Sequence, residues 1–250
     1  MATRKALEEI AATYGCKSIL SEEADAKTIK GTKYGYLTGI LYMMPDDQIC
    51  PMSRLAGCRE GCLVSAGRAA IYGDLIQGAR KARTVFFHQN TQAFLELLEK
   101  DIQRIVNKAT KKGMIPVIRL NGTSDIKWHT ITFNDGETIF DRFPNVQFYD
   151  YTKSPSILRA SRREVENWHV TFSYSGANER YRQIAEEQAH VGANLAVVFN
   201  GPMPETFMGR RVINGDESDL RFLDPHGVIV GLKAKGEAKK DTTGFVVPTC

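Results

Sequence analysis

Three cysteines, Cys50, Cys58 and Cys62, fall within thirteen residues, separated by seven and three residues. Thiols this close could bind a metal, pair as disulfides or sit passively in a core. Their neighbours argue against a core. Arg54, Arg59 and Glu60 are charged, Pro51 follows the first thiol, and Gly57 and Gly61 adjoin the other two. Positive charge beside a thiol favours the thiolate, the form that metals bind. A structural zinc site takes four protein ligands, whereas this loop offers three. Cys16, Cys250, His88 or His129 could supply a fourth, but no spacing selects one of them. A 4Fe–4S cluster on three cysteines keeps one iron open for a small ligand, which suits a catalytic centre. An iron–sulfur cluster is therefore the expected occupant, with zinc as the alternative.

Other polar residues stand where apolar, strand-like runs end. Ile115-Pro-Val-Ile-Arg-Leu120 leads into Asn121-Gly-Thr-Ser124-Asp125, and Val146-Gln-Phe-Tyr leads into Asp150-Tyr151-Thr-Lys153. His169-Val-Thr-Phe-Ser173 leads into Tyr174-Ser175, Val198-Phe199 into Asn200, and Gly231-Leu232 into Lys233 and Lys235. In parallel β/α folds the C-terminal strand edge carries the variable loops and the active site. On that rule Asp125, Asp150 and Lys153 are the candidates for proton transfer or catalysis. Asn121, Ser124, Tyr151, Ser173 and Lys233 are the candidates for substrate binding. Each set has a structural alternative: Asn121-Gly suits a turn and Ser124-Asp125 a helix cap. Their collection on one edge is more informative than any single member.

The elements that would position these groups are legible as patterns. Residues 2–14 form an amphipathic helix with Leu7, Ile10, Ala11 and Tyr14 on one side, ended by Gly15. A polar stretch from Ser21 to Lys33 follows, and then a first strand over 36–44, stopped by Pro45. A helix is expected over 63–82 and a short strand at Thr84-Val-Phe-Phe87. The strongest helix covers 91–110, with Phe94, Leu95, Leu98, Ile102, Ile105 and Val106 as its stripe, Asn90 as its cap and Gly113 as its stop. A helix over 178–191 and strands at 194–199 and 227–232 complete the reading.

Several of these strands are continuous apolar runs, as expected when both faces are buried. Their alternation with helices argues for parallel βαβ units. The expected fold is α/β, a single-domain partial or complete TIM-like (β/α) barrel, with a doubly wound open sheet as the alternative. Residues 1–33 form a lead-in and residues 34–250 the domain proper.

The chain of 250 residues carries 33 basic and 29 acidic residues, a net charge of +4. That permits a polyanionic partner without demanding one. Arg80-Lys81-Ala-Arg83, Arg159 with Arg162 and Arg163, Arg210-Arg211 and the lysines from Lys233 to Lys240 are local basic groups. Sharing the face of the cysteines, they would form a rim for a nucleotide or nucleic acid; otherwise they are solvated surface. Tyr149, Tyr151 and Tyr174 could stack on a base or pack in the barrel. No apolar run approaches the roughly 18 residues of a spanning helix. An odd cysteine count, with three thiols clustered, fits a reducing compartment, so a cytoplasmic location is expected.

Six stretches are similar to a bacteriophage and prophage family of the gene-88 type. They include Tyr36-Leu-Thr-Gly-Ile-Leu-Tyr-Met-Met-Pro, Cys50-Pro-Met-Ser-Arg-Leu-Ala-Gly-Cys-Arg-Glu-Gly-Cys-Leu and Arg119-Leu-Asn-Gly-Thr-Ser-Asp-Ile. The others are Val146-Gln-Phe-Tyr-Asp-Tyr-Thr-Lys, Asp219-Leu-Arg-Phe-Leu-Asp-Pro and Gly231-Leu-Lys-Ala-Lys-Gly. That resemblance implies a phage protein and leaves its activity open. More distantly, the layout resembles a radical S-adenosylmethionine enzyme, with three cysteines in the loop after strand one. It implies an open iron that binds S-adenosylmethionine. The usual CxxxCxxC of that superfamily is here C-x7-C-x3-C, and no glycine-rich segment follows the second strand. The functional expectation is an iron–sulfur, radical-SAM-like phage enzyme acting on a nucleotide, nucleic acid or related metabolite. The alternatives are a zinc-stabilised nucleic-acid-binding or base-modifying barrel and a non-catalytic phage accessory protein.

Overall fold

The computed structural model describes residues 2–22, 26–59, 62 and 73–249. Residues 63–72 of the expected helix, Glu60, Gly61 and Cys250 lie outside them.

The helix α1 (Arg4–Thr13) is capped by Thr3, whose side chain accepts from the Ala6 amide. The strand β1 (Leu20–Glu22), the helix α2 (Ala26–Thr32) and the strand β2 (Tyr36–Leu41) follow. After the cysteine loop come α3 (Gly73–Gln89) and α4 (Thr91–Lys112). Asn90 caps α4 by accepting from the Ala93 amide, and Gly113 ends it with a left-handed φ of 63°. That is a conformation glycine adopts without a Cβ penalty.

Thr84–Phe87 does not form the expected strand; it lies inside α3. Its β-favouring residues are overridden by packing. Phe86 stacks on Tyr14 with ring centroids 5.0 Å apart, while Phe87 meets Phe94 edge-on at 5.3 Å. Helical spacing gives both rings these partners, and burial outweighs local β preference.

The remaining elements are β3 (Ile115–Arg119), α5 (Ile139–Arg142), β4 (Gln147–Thr152), α6 (Pro155–Arg163), β5 (Trp168–Ser173) and α7 (Glu179–His190). They are followed by β6 (Leu195–Asn200), β7 (Thr206–Phe207), β8 (Arg210–Asn214), β9 (Ile229–Lys233) and β10 (Val247–Pro248). The sheet order is β1-β2-β3-β4-β5-β6-β9-β8-β7, with β10 pairing separately to β6. Ladders from β2 through β9 to β8 are parallel, and the outermost pairs, β1–β2 and β7–β8, are antiparallel.

The sheet is open: among the described residues no ladder joins its two edges. The closed barrel is thus not found, and neither the TIM type nor the radical-SAM-like layout is supported. What holds is a mixed α/β domain built on a mostly parallel sheet.

The two faces of the sheet are covered differently. Phe148, Phe172, Val197 and Ile229 belong to the main core, which also contains the buried stripe of α4 and Tyr181 and Ala185 of α7. On the opposite face Val117 and Tyr149 pack against Leu220. The segment between β8 and β9 therefore crosses that face, and the Arg119–Asp219 ion pair at 2.8 Å fixes it there.

Candidate functional site

A cavity of about 260 Å³ opens at the C-terminal strand edge, where the loops after β2, β3 and β4 meet the ends of β5 and β9. Cys50, Cys58 and Cys62 all line it, together with Asn121, Ser124, Asp125, Tyr151, Lys153, Ser173 and Lys233. Asp150 is the candidate that does not reach it.

The cysteine loop folds as tight turns. The Cys50 amide donates to Asp46 O at 3.0 Å, and the Cys58 amide donates to Ser53 O at 3.2 Å. Asp46 and Asp47 anchor the loop from outside, Asp46 against His88 at 2.8 Å and Asp47 against Arg54 at 2.9 Å. Arg54 and Arg59 both pair with Asp47, and Arg59 also donates to Ser53 Oγ at 3.1 Å. Among the described residues Cys16, Cys50, Cys58 and Cys62 form no disulfide. The Cys50 thiol lies 3.9 Å from Thr123 O and the Cys58 thiol 3.7 Å from Ser53 O. Burial pushes the Cys50 thiol upward, and the nearby Asp125, Cys62 and Cys58 add to the effect while Lys153 opposes it. Among the described residues no three His, Cys, Asp or Glu side chains are already gathered closely enough to hold a metal ion.

Asp125 acts as a clasp. Its amide donates to Ile49 O at 2.7 Å, beside Cys50. Its carboxylate accepts from Thr152 Oγ1 at 2.6 Å and from the Lys153 amide at 3.0 Å. Asp125 thus ties the cysteine loop to the end of β4, its amide holding the loop and its carboxylate holding the strand end. Burial raises its carboxyl above the ordinary carboxylate range.

Asn121 is a hub. Its Oδ1 accepts from Ser124 Oγ at 2.8 Å, the Ile126 amide at 3.0 Å and Trp128 Nε1 at 3.2 Å, while Nδ2 donates to Ile126 O at 3.1 Å. These bonds shape the loop wall and occupy both ends of the amide. Gly122 next to it is required by space, because a Cβ there would meet Leu41 O at 2.5 Å.

Asp150 alternates with Tyr149 and Tyr151, so it points to the helix-covered face. It accepts from the Asn121 amide at 2.6 Å and from Trp168 Nε1 at 3.1 Å, with no exposed surface. Burial pushes its carboxyl up to about 7. The expectation of a cavity role for Asp150 is corrected to a support for Asn121.

Lys153 donates to Ser173 Oγ at 2.5 Å, and its ammonium lies 5.0 Å from the Phe245 ring centre. Tyr151 carries the Arg119 guanidinium over its ring at 4.7 Å. The segment bearing Phe245 folds over the loop: Thr243 Oγ1 donates to Gly57 O at 3.2 Å, and the Gly176 amide donates to Gly244 O at 3.0 Å.

Of the candidate fourth zinc ligands, Cys250 lies outside the described residues and the other three are away from the cavity. Cys16 is buried beside Ser18 O, His88 pairs with Asp46, and His129 packs against Trp168. Tyr149 and Tyr174 do not line the cavity. The basic rim is also reduced. Arg80 and Arg83 are buried, Arg83 donating to Ser18 O at 2.7 Å, and Arg210 donates to Ala193 O at 2.9 Å.

The family model described as gene product 88 matches residues 18–249. The chain belongs to the gene product 88 family. That span takes in the cysteine loop, every strand and the whole cavity of this gene product 88 protein. No curated protein and no solved structure matches it. No helix of the described residues is long and apolar enough to cross a membrane.

Sequence reasoning missed several residues of the gene product 88 cavity: Lys30, Arg119, Asp216, Asp219 and Phe245. One signal was present for Arg119. A charged residue inside an otherwise apolar strand is rarely buried without a partner, and Asp219 is that partner.

Proposed function

We propose that this gene product 88 protein is an iron–sulfur enzyme whose cluster rests on Cys50, Cys58 and Cys62 and whose substrate is a nucleotide, nucleic acid or related metabolite. The observation that carries the reading is that three thiols from one loop line the cavity that also holds Asp125, Lys153 and Lys233. The donor set suits a cluster with one open iron better than a four-ligand zinc site, since Cys16, His88 and His129 do not line the cavity and the carboxylates that do are held by other partners. Gathering the thiols requires the loop to tighten around its guest, as metal binding coupled to local folding does.

When bound, such a cluster supplies single electrons and one open coordination position. The chain's own groups do the rest. Asp125 is a positioning residue, keeping the cysteine loop against the end of β4. Lys153, within electrostatic reach of Cys50, favours the thiolate and presents a cation to the substrate. The segment at Thr243–Phe245 closes one side and limits water. S-adenosylmethionine use is a separate arm of the test.

The experiment is anaerobic purification and reconstitution, followed by iron, sulfide and zinc analysis and visible absorption with and without S-adenosylmethionine. A brown protein with iron and sulfide in equal amounts is expected. Stoichiometric zinc with unfolding on chelation would instead establish the zinc alternative.

A further inference from the structure

The charged lining of the cavity is unbalanced. Lys30, Arg119, Lys153, Lys233 and Lys235 face it against Asp125, Asp216 and Asp219. Each carboxylate already has partners. Asp125 is clasped as described, Asp219 pairs with Arg119, and Asp216 accepts from the Lys233 amide at 2.9 Å and from Lys235. Lys30 donates to the main-chain carbonyl of Asp216, and Lys153 to a neutral hydroxyl. The Lys233 ammonium has no ion-pair partner among the described residues. Counting the lining apart from the three thiols, the positive excess is two charges, which matches the charge of a phosphate monoester near neutral pH. Lys30 Nζ and the Lys233 amide both bond to Asp216, so the end of α2 and the end of β9 meet there beside the cavity that both residues line.

The rest of the wall is apolar. Ala196, Val198 and Leu232 line it from β6 and β9, and Phe245 from the covering segment. A volume of about 260 Å³ lies just below the usual range of small-molecule pockets, roughly 300–1,000 Å³. It suits a small organic molecule better than a polymer strand.

We infer that Lys30 and Lys233 form a phosphate subsite, and that the substrate is a small organic phosphate monoester whose apolar or aromatic body lies against Val198, Leu232 and Phe245. This rests on reading the cavity as the working site, and it narrows the substrate from nucleic acid to a monomeric phosphate.

The test is calorimetric titration of the full chain at low salt, before and after cluster reconstitution. The probes are AMP, adenosine, inorganic phosphate and acetate. AMP should bind, inorganic phosphate should bind more weakly and compete with it, and adenosine and acetate should each bind at least about tenfold more weakly than AMP. Lys30→Ala and Lys233→Ala should each weaken AMP by about tenfold. Lys233→Met, which keeps the apolar stem, should do the same if the alanine variant folds poorly. Lys111→Ala, on α4 outside the cavity, should bind AMP as the unmodified protein does. The inference is overturned if AMP does not bind, if adenosine or acetate matches it, or if the lysine variants bind unchanged. It is equally overturned if a single-stranded oligonucleotide binds and AMP cannot displace it. Iron measured on the same samples separates the two readings. A cluster without AMP binding defeats the phosphate subsite alone, and AMP binding without iron defeats the cluster alone.

Discussion

Arg119 donates to Asp219 at 2.8 Å, on the face of the sheet opposite the main core, and both side chains are nearly removed from water. The pair connects β3, whose following loop builds the cavity wall, to the segment that crosses that face. Burying two charges is costly, and their attraction compensates only while both are present. Asp219→Ala should therefore destabilise the protein by about 3–5 kcal/mol in urea unfolding. The double change Arg119→Met with Asp219→Leu should recover most of that loss. A double variant as unstable as the single one would show that the pair is not the cause.

Asn121 collects three donors on one oxygen, and two of them belong to groups with no easy route to water. Asn121→Ala should cost about 3 kcal/mol, because the Ile126 amide and Trp128 Nε1 lose their acceptor. Denaturant midpoints at constant slope provide the measurement. A loss under about 1 kcal/mol would mean that the loop repacks or water replaces the amide.

Asp150 should give stability a pH dependence of defined sign. Its folded-state carboxyl stands at about 7, above its ordinary value of 3.8, because burial disfavours the charge. A raised pKa contributes stability that is complete below the unfolded value and is lost as pH climbs through the folded value. Thermal stability should thus fall between pH 4 and pH 7, by an amount on the order of 4 kcal/mol from this group. Asp150→Asn cannot titrate, so the difference curve between the two proteins isolates the effect. A parallel pair of curves would refute the assignment, whatever the absolute stability of the variant.

Asp125 joins the cysteine loop to the end of β4 through Ile49, Thr152 and Lys153. Removing its carboxylate leaves the amide on Ile49 O but releases this joint from β4, which should loosen the cysteine loop. Alkylation of the Cys50 and Cys58 thiols in Asp125→Ala should accelerate by about tenfold or more, the equivalent of losing one buried charge-assisted bond. Unchanged rates would mean that turns such as Cys58 amide to Ser53 O hold the loop unaided.

The cavity was legible in outline because its residues obey a positional rule. Ser173 and Lys233 close parallel strands and Cys50, Asn121, Asp125 and Lys153 follow the ends of others, and strand runs can be read from composition. The period-two alternation within β4 decided what that rule could not. Asp150 is the last residue of its apolar run, yet its side chain points to the helical face while Tyr151 points to the cavity. Partners distant in sequence were also invisible. Nothing near Arg119 points to Asp219, and nothing near Lys30 points to Asp216. Thr84–Phe87 reads as a strand because four β-favouring residues stand together, but the aromatic partners of Phe86 and Phe87 reward helical spacing. Barrel closure was equally beyond strand counting, since it depends on whether edge strands meet. Here β1 and β7 end the sheet as antiparallel edges.

The account turns on three thiols sharing one inorganic guest. Iron and sulfide per chain, measured after anaerobic reconstitution of the unmodified protein and of Cys50→Ser, Cys58→Ser and Cys62→Ser, tests it most directly. The account predicts about four of each per chain in the unmodified protein, as a 4Fe–4S cluster requires, and a large loss in each variant. Iron-free protein, or iron retained equally when any one thiol is replaced, would contradict it.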